Sequence, residues 1–182
     1  MRMSRLLVAV VTVGLVASHL PGCAAPLRVL SGDIERKRLA VHVVATVSGD
    51  GARVGLSLDN RGEEPVGVDL DALVVRDGGG REHKVLGKQQ RFRRDGETSV
   101  QRVPHGAVTI EPHAREEIAL EFDAVSGKGP LVLAMPALYR LSIEGQVPLK
   151  AVEVPLALDA KATAAAAAAP PDAGFYDPFV EE

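Results

Sequence analysis

Period-two alternation dominates the middle of the chain. Leu39, Val41, Val43, Ala45 and Val47 are apolar and interleave with Ala40, His42, Thr46 and Ser48. Such spacing sends one set of side chains to a core and the other toward solvent, the mark of a half-buried strand. Ser48-Gly49-Asp50-Gly51 supplies a turn, and Val54, Leu56 and Leu58 resume the alternation until Asp59-Asn60-Arg61-Gly62. Pro65 opens a strand through Val66, Val68 and Leu70, and Leu73-Val74-Val75 follows. Asp77-Gly78-Gly79-Gly80 then turns the chain into a hairpin whose return runs from His83 to Leu86.

Further strands are predicted at 98–103, 107–110, 118–122, 131–133, 139–143 and 152–158, separated by Gly- and Pro-bearing turns. Gly87 to Gly96 breaks the alternation and reads as a basic polar loop carrying Lys88, Arg91, Arg93 and Arg94 around Phe92. No amphipathic helix of any length is predicted. Seven to nine short strands at this spacing predict an all-β fold, an immunoglobulin-like antiparallel β-sandwich over residues 38–158. The order Asn60-Arg61-Gly62, Pro65-Val66-Gly67-Val68, Val74-Val75-Arg76-Asp77-Gly78, Pro112 and Leu120-Glu121-Phe122 resembles the small Ig-like domains of bacterial lipoproteins. That resemblance reports turns and core positions and assigns no functional residue.

The two ends read differently. Arg2 and Arg5 precede an apolar run from Leu6 to Ala17. About a dozen residues is too short for a transmembrane helix, which needs ~20, and fits the core of an export signal over residues 1–22. Leu20-Pro21-Gly22-Cys23 resembles the lipobox of bacterial lipoproteins, with Pro21 a departure from the usual small residue. The resemblance implies lipidation at Cys23 and membrane attachment through that lipid. It also implies a cell-envelope location, the outer membrane in a Gram-negative host because Ala24 follows the cysteine. Cys23 is the only cysteine, so no intramolecular disulfide is available. Residues 23–37 then read as a lipidated tether.

At the other end, residues 159–182 read as a disordered Ala/Pro-rich tail. Its last residues gather Phe175, Tyr176 and Phe179, a concentration that solvation does not call for and that suggests partner docking.

Composition narrows the chemistry. The chain has a net charge of −3, so electrostatics gives no argument for nucleic-acid binding, and none is expected. It has no Trp, so the core must be aliphatic. No nucleophile elbow, zinc-protease helix, phosphate loop or dinucleotide fingerprint occurs, and no catalytic residue is assigned. His83, His105 and His113 lack ligand spacing and read as surface loop residues, so no metal or other cofactor is expected. Asp69, Asp71 and Asp77 lack the calcium-loop pattern and read as strand and turn carboxylates. The expected role is a non-catalytic, lipid-anchored envelope module with a protein partner, the basic segment offering contact to anions. The alternative is a periplasmic protein binding a small ligand or metal.

Overall fold

The computed structural model describes residues 27–48, 51–94, 97–102, 106–123, 125 and 129–168, with backbone alone for 91–94, 97–100 and 102. Among them are thirteen strands: β1 (Arg28–Glu35), β2 (Leu39–Ser48), β3 (Gly51–Asn60), β4 (Val66–Asp69), β5 (Val74–Arg76), β6 (Glu82–Arg94), β7 (Glu97–Arg102), β8 (Ala107–Ile110), β9 (Arg115–Phe122), β10 (Leu131–Met135), β11 (Leu138–Ser142), β12 (Gly145–Pro148) and β13 (Val152–Leu158). A 3₁₀ turn covers Leu70–Ala72, and one helix, α1, covers Ala160–Ala168.

Eight strands close into an antiparallel barrel in the order β1-β2-β3-β9-β6-β5-β10-β13, with β13 returning to β1. This replaces the expected Ig-like sandwich. Alternation says that each strand buries one face. It does not say whether that face meets a second sheet or the sheet's own far wall. Two pairings decide the matter. β1 joins β13 through Leu30 and Ser31 opposite Leu158 and Ala157, and β5 joins β6 through Val74, Val75 and Arg76 opposite Lys84, His83 and Glu82.

β1 lies within the stretch read as tether. Its inward positions are Leu30, Gly32 and Ile34, facing Ala45, Val43 and Val41 of β2. Gly32 interrupts the apolar pattern because β13 passes too close for a side chain, and a Cβ there would sit 2.3 Å from the Pro155 carbonyl oxygen.

The basic segment also differs from expectation. Residues 82–94 form one continuous strand, not a loop, and its far half pairs with β7 from Gln89–Arg102 to Arg94–Glu97. A bulge at Leu86 shifts the register of β6 against β9 between Val85 and Gly87. The bulge reverses the later side chains, so Lys88 shares a face with Leu120 and Gln90 with Ile118.

The interior is aliphatic. Leu56, Leu58, Ile118, Leu120, Leu133 and Val154 are fully buried and belong to one cluster with Val43, Leu131 and Met135. Eight strands enclose a space that side chains of this size fill. Each such residue contributes about 1.5–3 kcal/mol by leaving water.

Strand direction sorts the connections onto two ends. β1, β3, β6 and β10 run one way, and β2, β9, β13 and β5 the other. The start of β1, the end of β2 and start of β3, the turn at 77–81, the end of β9 and start of β10, and α1 therefore share one end, called here the entry end. All longer excursions leave from the opposite end. They form a four-stranded sheet, β12-β11-β4-β8, whose inward Val66, Val68, Val108, Ile110 and Leu138 are buried. Most of these join the same core cluster, so this sheet caps the second end.

Asn60, at the last position of β3, ties cap to barrel. Its amide nitrogen donates to the carbonyls of Glu64, Ile110 and Glu111 at 2.9, 3.0 and 3.1 Å, and its oxygen accepts from the Gly62 N–H at 3.0 Å. α1 belongs to the stretch read as disordered tail. Its start is capped by Asp159, whose carboxylate accepts from the Ala162 N–H at 2.8 Å. Thr163 Oγ accepts from the Val29 N–H at 2.9 Å, holding the helix on the outer face of β1.

Removing the Asn60 side chain strands buried carbonyls. Asn60→Ala is expected to cost about 1–3 kcal/mol in urea unfolding. Asn60→Asp keeps the Gly62 contact but faces carbonyls with a carboxylate, so it should cost at least as much near neutral pH. An aspartate variant as stable as wild type contradicts this role.

Candidate functional site

Two polar clusters interrupt the aliphatic interior, one at each end. At the entry end, β5 and β6 meet with Val75 opposite His83. Val75 points into the core, so His83 does too, and only 3% of His83 is exposed. The reading of His83 as a surface histidine is therefore corrected. Its Nδ1 lies 3.1 Å from Asp123 Oδ1, just past the end of β9, and its Nε2 lies 3.4 Å from Asp77 Oδ2 in the β5–β6 turn.

Asp77 organises that turn. Its Oδ1 accepts from the Gly79 and Arg81 N–H groups, both at 2.9 Å, and Gly80 adopts φ +80°, where a side chain would be strained. The Arg81 N–H, aided by His83 and the Gly79 N–H, holds the Asp77 carboxyl below the ordinary carboxylate range, while burial acts in the opposite sense. On the outside of the same seam, Arg76 reaches Glu82 at 3.1 Å and Glu153 of β13 at 2.7 Å.

The carboxylates of Asp77 and Asp123 occupy opposite nitrogens of one imidazole, so the three groups do not converge on one point. Among the described residues no group of three or more His, Cys, Asp or Glu is arranged to hold a metal ion. His113 sits in the β8–β9 turn at the capped end, 3.3 Å from Glu63, so it and His83 occupy opposite ends. His105 lies outside the described residues. Asp69 caps the 3₁₀ turn by accepting from the Asp71 N–H at 2.9 Å.

The second cluster lines the barrel wall near the capped end. Lys88 faces inward, with 11% of its side chain exposed, and pairs with Asp71 of the 3₁₀ turn. Gln90 also faces inward and donates to Glu116 of β9 at 2.8 Å. Asp71 further accepts from the Gly106 N–H at 3.0 Å. Lys88 is thus engaged within the chain, apart from the arginines with which the sequence groups it. Arg91, Arg93 and Arg94 lie on the backbone of β6 toward its far end. Cys23, Phe175, Tyr176 and Phe179 lie outside the described residues.

Sequence reasoning missed both clusters. His83 precedes Val85 at period two in a predicted strand, a signal that it shares the buried face. The inward turn of Lys88 and Gln90 had no such signal, because it follows from the bulge.

The chain matches no protein-family model and no curated protein sequence.

Asp77 generates a pH prediction. Its carboxyl binds a proton more weakly when folded than when unfolded. The stabilisation is therefore fully present above the unfolded value of about 3.9 and is lost as pH falls through the depressed folded value. Asp77→Asn keeps the turn acceptor and removes the charge. The acid limb of a plot of urea midpoint against pH should flatten in this variant, and an unchanged limb contradicts the assignment.

Proposed function

We propose that the protein is a lipid-anchored, non-catalytic interaction or assembly module of a bacterial cell envelope. The observation that carries this reading is the filling of the barrel. Strands from all around the wall send Leu, Ile, Val and Met side chains into one buried cluster, which leaves recognition to the outer surface and the ends. The polar clusters are satisfied by their own neighbours, the pattern of positions that hold a fold.

Membrane attachment rests on the Leu20-Pro21-Gly22-Cys23 motif and on the absence of any other cysteine. Among the described residues no helix is long and apolar enough to cross a membrane. A thiol-linked diacylglyceryl group contributes ~0.8 kcal/mol per buried CH₂, and two or more chains anchor stably. The proposed partner is an envelope protein, with Phe175, Tyr176 and Phe179 as a docking segment.

One observation favours a small-ligand reading instead. Lys88, Asp71, Gln90 and Glu116 place polar groups on the inner wall near the capped end. That reading requires a ligand that travels with the purified protein and is lost in Lys88→Met, both visible by native mass spectrometry.

Fractionation of cells expressing Cys23→Ser tests the anchor. The variant should move from the membrane to the soluble fraction, and retention through detergent-free washing refutes lipid attachment. In-envelope crosslinking of the full chain and of a chain lacking residues 170–182 tests docking. The shortened chain should lose its principal crosslinked partner while keeping its unfolding midpoint.

A further inference from the structure

The turn between β1 and β2 carries three cations in a row, Arg36, Lys37 and Arg38, all exposed. β1 runs from the entry end to the capped end, so this turn lies at the capped end. The Arg36 guanidinium donates to the carbonyls of Lys150 and Ala151 at 3.1 and 3.0 Å. Those bonds bring exposed Lys150, just before β13, against the turn. On the other side, the Arg38 carbonyl accepts from the Arg61 N–H at 2.9 Å.

The charges gathered there do not balance. Arg61 pairs with Asp59 and Glu35 at 2.9 and 3.5 Å. Glu64 serves both Arg38, at 3.7 Å, and Arg140, at 2.8 Å. Glu63, its neighbour in the chain, faces His113 at 3.3 Å. Arg36, Lys37 and Lys150 pair with no carboxylate among the described residues. Three carboxylates thus face six cations, Arg36, Lys37, Arg38, Arg61, Arg140 and Lys150, in a chain whose net charge is −3. Clustered like charges repel, and carboxylates brought by a partner relieve that repulsion. Leu149, beside Lys150, leaves 36% of its surface exposed and adds an apolar contact.

Position selects the partner. β1 is eight residues long, a path of about 25 Å at ~3.3 Å per residue. Strands of a closed barrel tilt by about 40°, so the rise along the axis is about 20 Å. Cys23 precedes Arg28 by five residues, at most ~18 Å of chain. A lipid on Cys23 therefore tethers the entry end, and the basic turn stands about 20 Å farther out. The Debye length is ~8 Å at physiological ionic strength, so headgroups beneath the entry end are screened from the turn.

We propose that the β1–β2 turn and Lys150 form a docking surface, turned away from the anchoring bilayer, for an acidic segment of a protein partner. This rests on the lipid-anchor reading and deepens it by naming the surface and the chemistry it takes.

The lipidated full-length protein, floated on phosphatidylcholine vesicles, is titrated against a short fluorescein-labelled peptide of alternating glutamate and leucine. Binding, read by anisotropy, should weaken as salt rises. Lys37→Glu with Lys150→Glu reverses two exposed charges that hold no partner side chain, and should weaken binding at least tenfold. Lys84→Glu with Lys161→Glu makes the same change in net charge at the entry end, and should alter it less than threefold. Equal losses in the two variants, or no loss in the first, overturn the assignment of the surface.

A photocrosslinking residue at Leu149 identifies the occupant in cells. Crosslinks should map to an acidic stretch of another protein and disappear in the Lys37→Glu, Lys150→Glu variant. Crosslinks to residues 170–182, to a second copy, or unaffected by the charge reversal overturn the proposal. So does flotation of Cys23→Ser protein with phosphatidylglycerol vesicles that the same reversal abolishes, because lipid is then the ligand. Wild-type protein that binds the peptide in solution but does not float with vesicles refutes the anchor reading and leaves the basic surface standing.

Discussion

Closure of the barrel across β5 and β6 is the constraint on which the rest depends. β5 is three residues long, and its pairing with β6 spans Val74, Val75 and Arg76. Without that contact the same strands form an open sheet with two edges and an uncovered aliphatic face, a state prone to edge pairing. With it, alternating residues from eight strands share one interior. No disulfide is available to hold the seam, so side chains do it. Asp77 fixes the turn between the two strands, His83 fills the inner side, and Arg76 links Glu82 to Glu153 on the outer side. The buried histidine is best understood as part of this closure, since both ring nitrogens face carboxylates that belong to the adjoining turn and to the end of β9.

The two ends of the barrel are finished by different means. Short turns and α1 complete the entry end, whereas four strands drawn from three separate excursions cap the other. Asn60 shows how the cap is secured. One buried amide shares its two N–H donors among three carbonyls and accepts from one N–H, so the loop after β3 and the β8–β9 turn are fixed against each other. An asymmetry of position follows from this construction. The start of β1 and the paired far half of β6 with β7 fall at opposite poles, although the linear sequence gives no distance between them.

Most strands were legible because their residues alternate strongly. β8 and β13 have the expected bounds, and β2, β3, β4 and β9 differ from expectation only at their ends. β1 was not legible because Gly32 occupies an inward position beside β13, a requirement visible only once the two strands are adjacent. α1 was not legible because nine residues dominated by alanine form a weak helix alone. Its capping by Asp159 and its contact with Val29 make it part of the fold. The basic segment read as a loop because Lys88 and Gln90 are polar at positions that face the interior, a placement created by the bulge at Leu86.

The sequence by itself determined the all-β class, the aliphatic core, the principal turns and the lone cysteine with its lipobox-like surroundings. These are local properties: alternation, glycine and proline placement, and a short motif. Only the tertiary structure decided that the sheet closes on itself, that His83 is buried between two carboxylates, and that Lys88 turns inward to Asp71. The reason is physical. A strand's pattern records which face is covered, while what covers it depends on partners far away in the chain and on a single-residue shift in register.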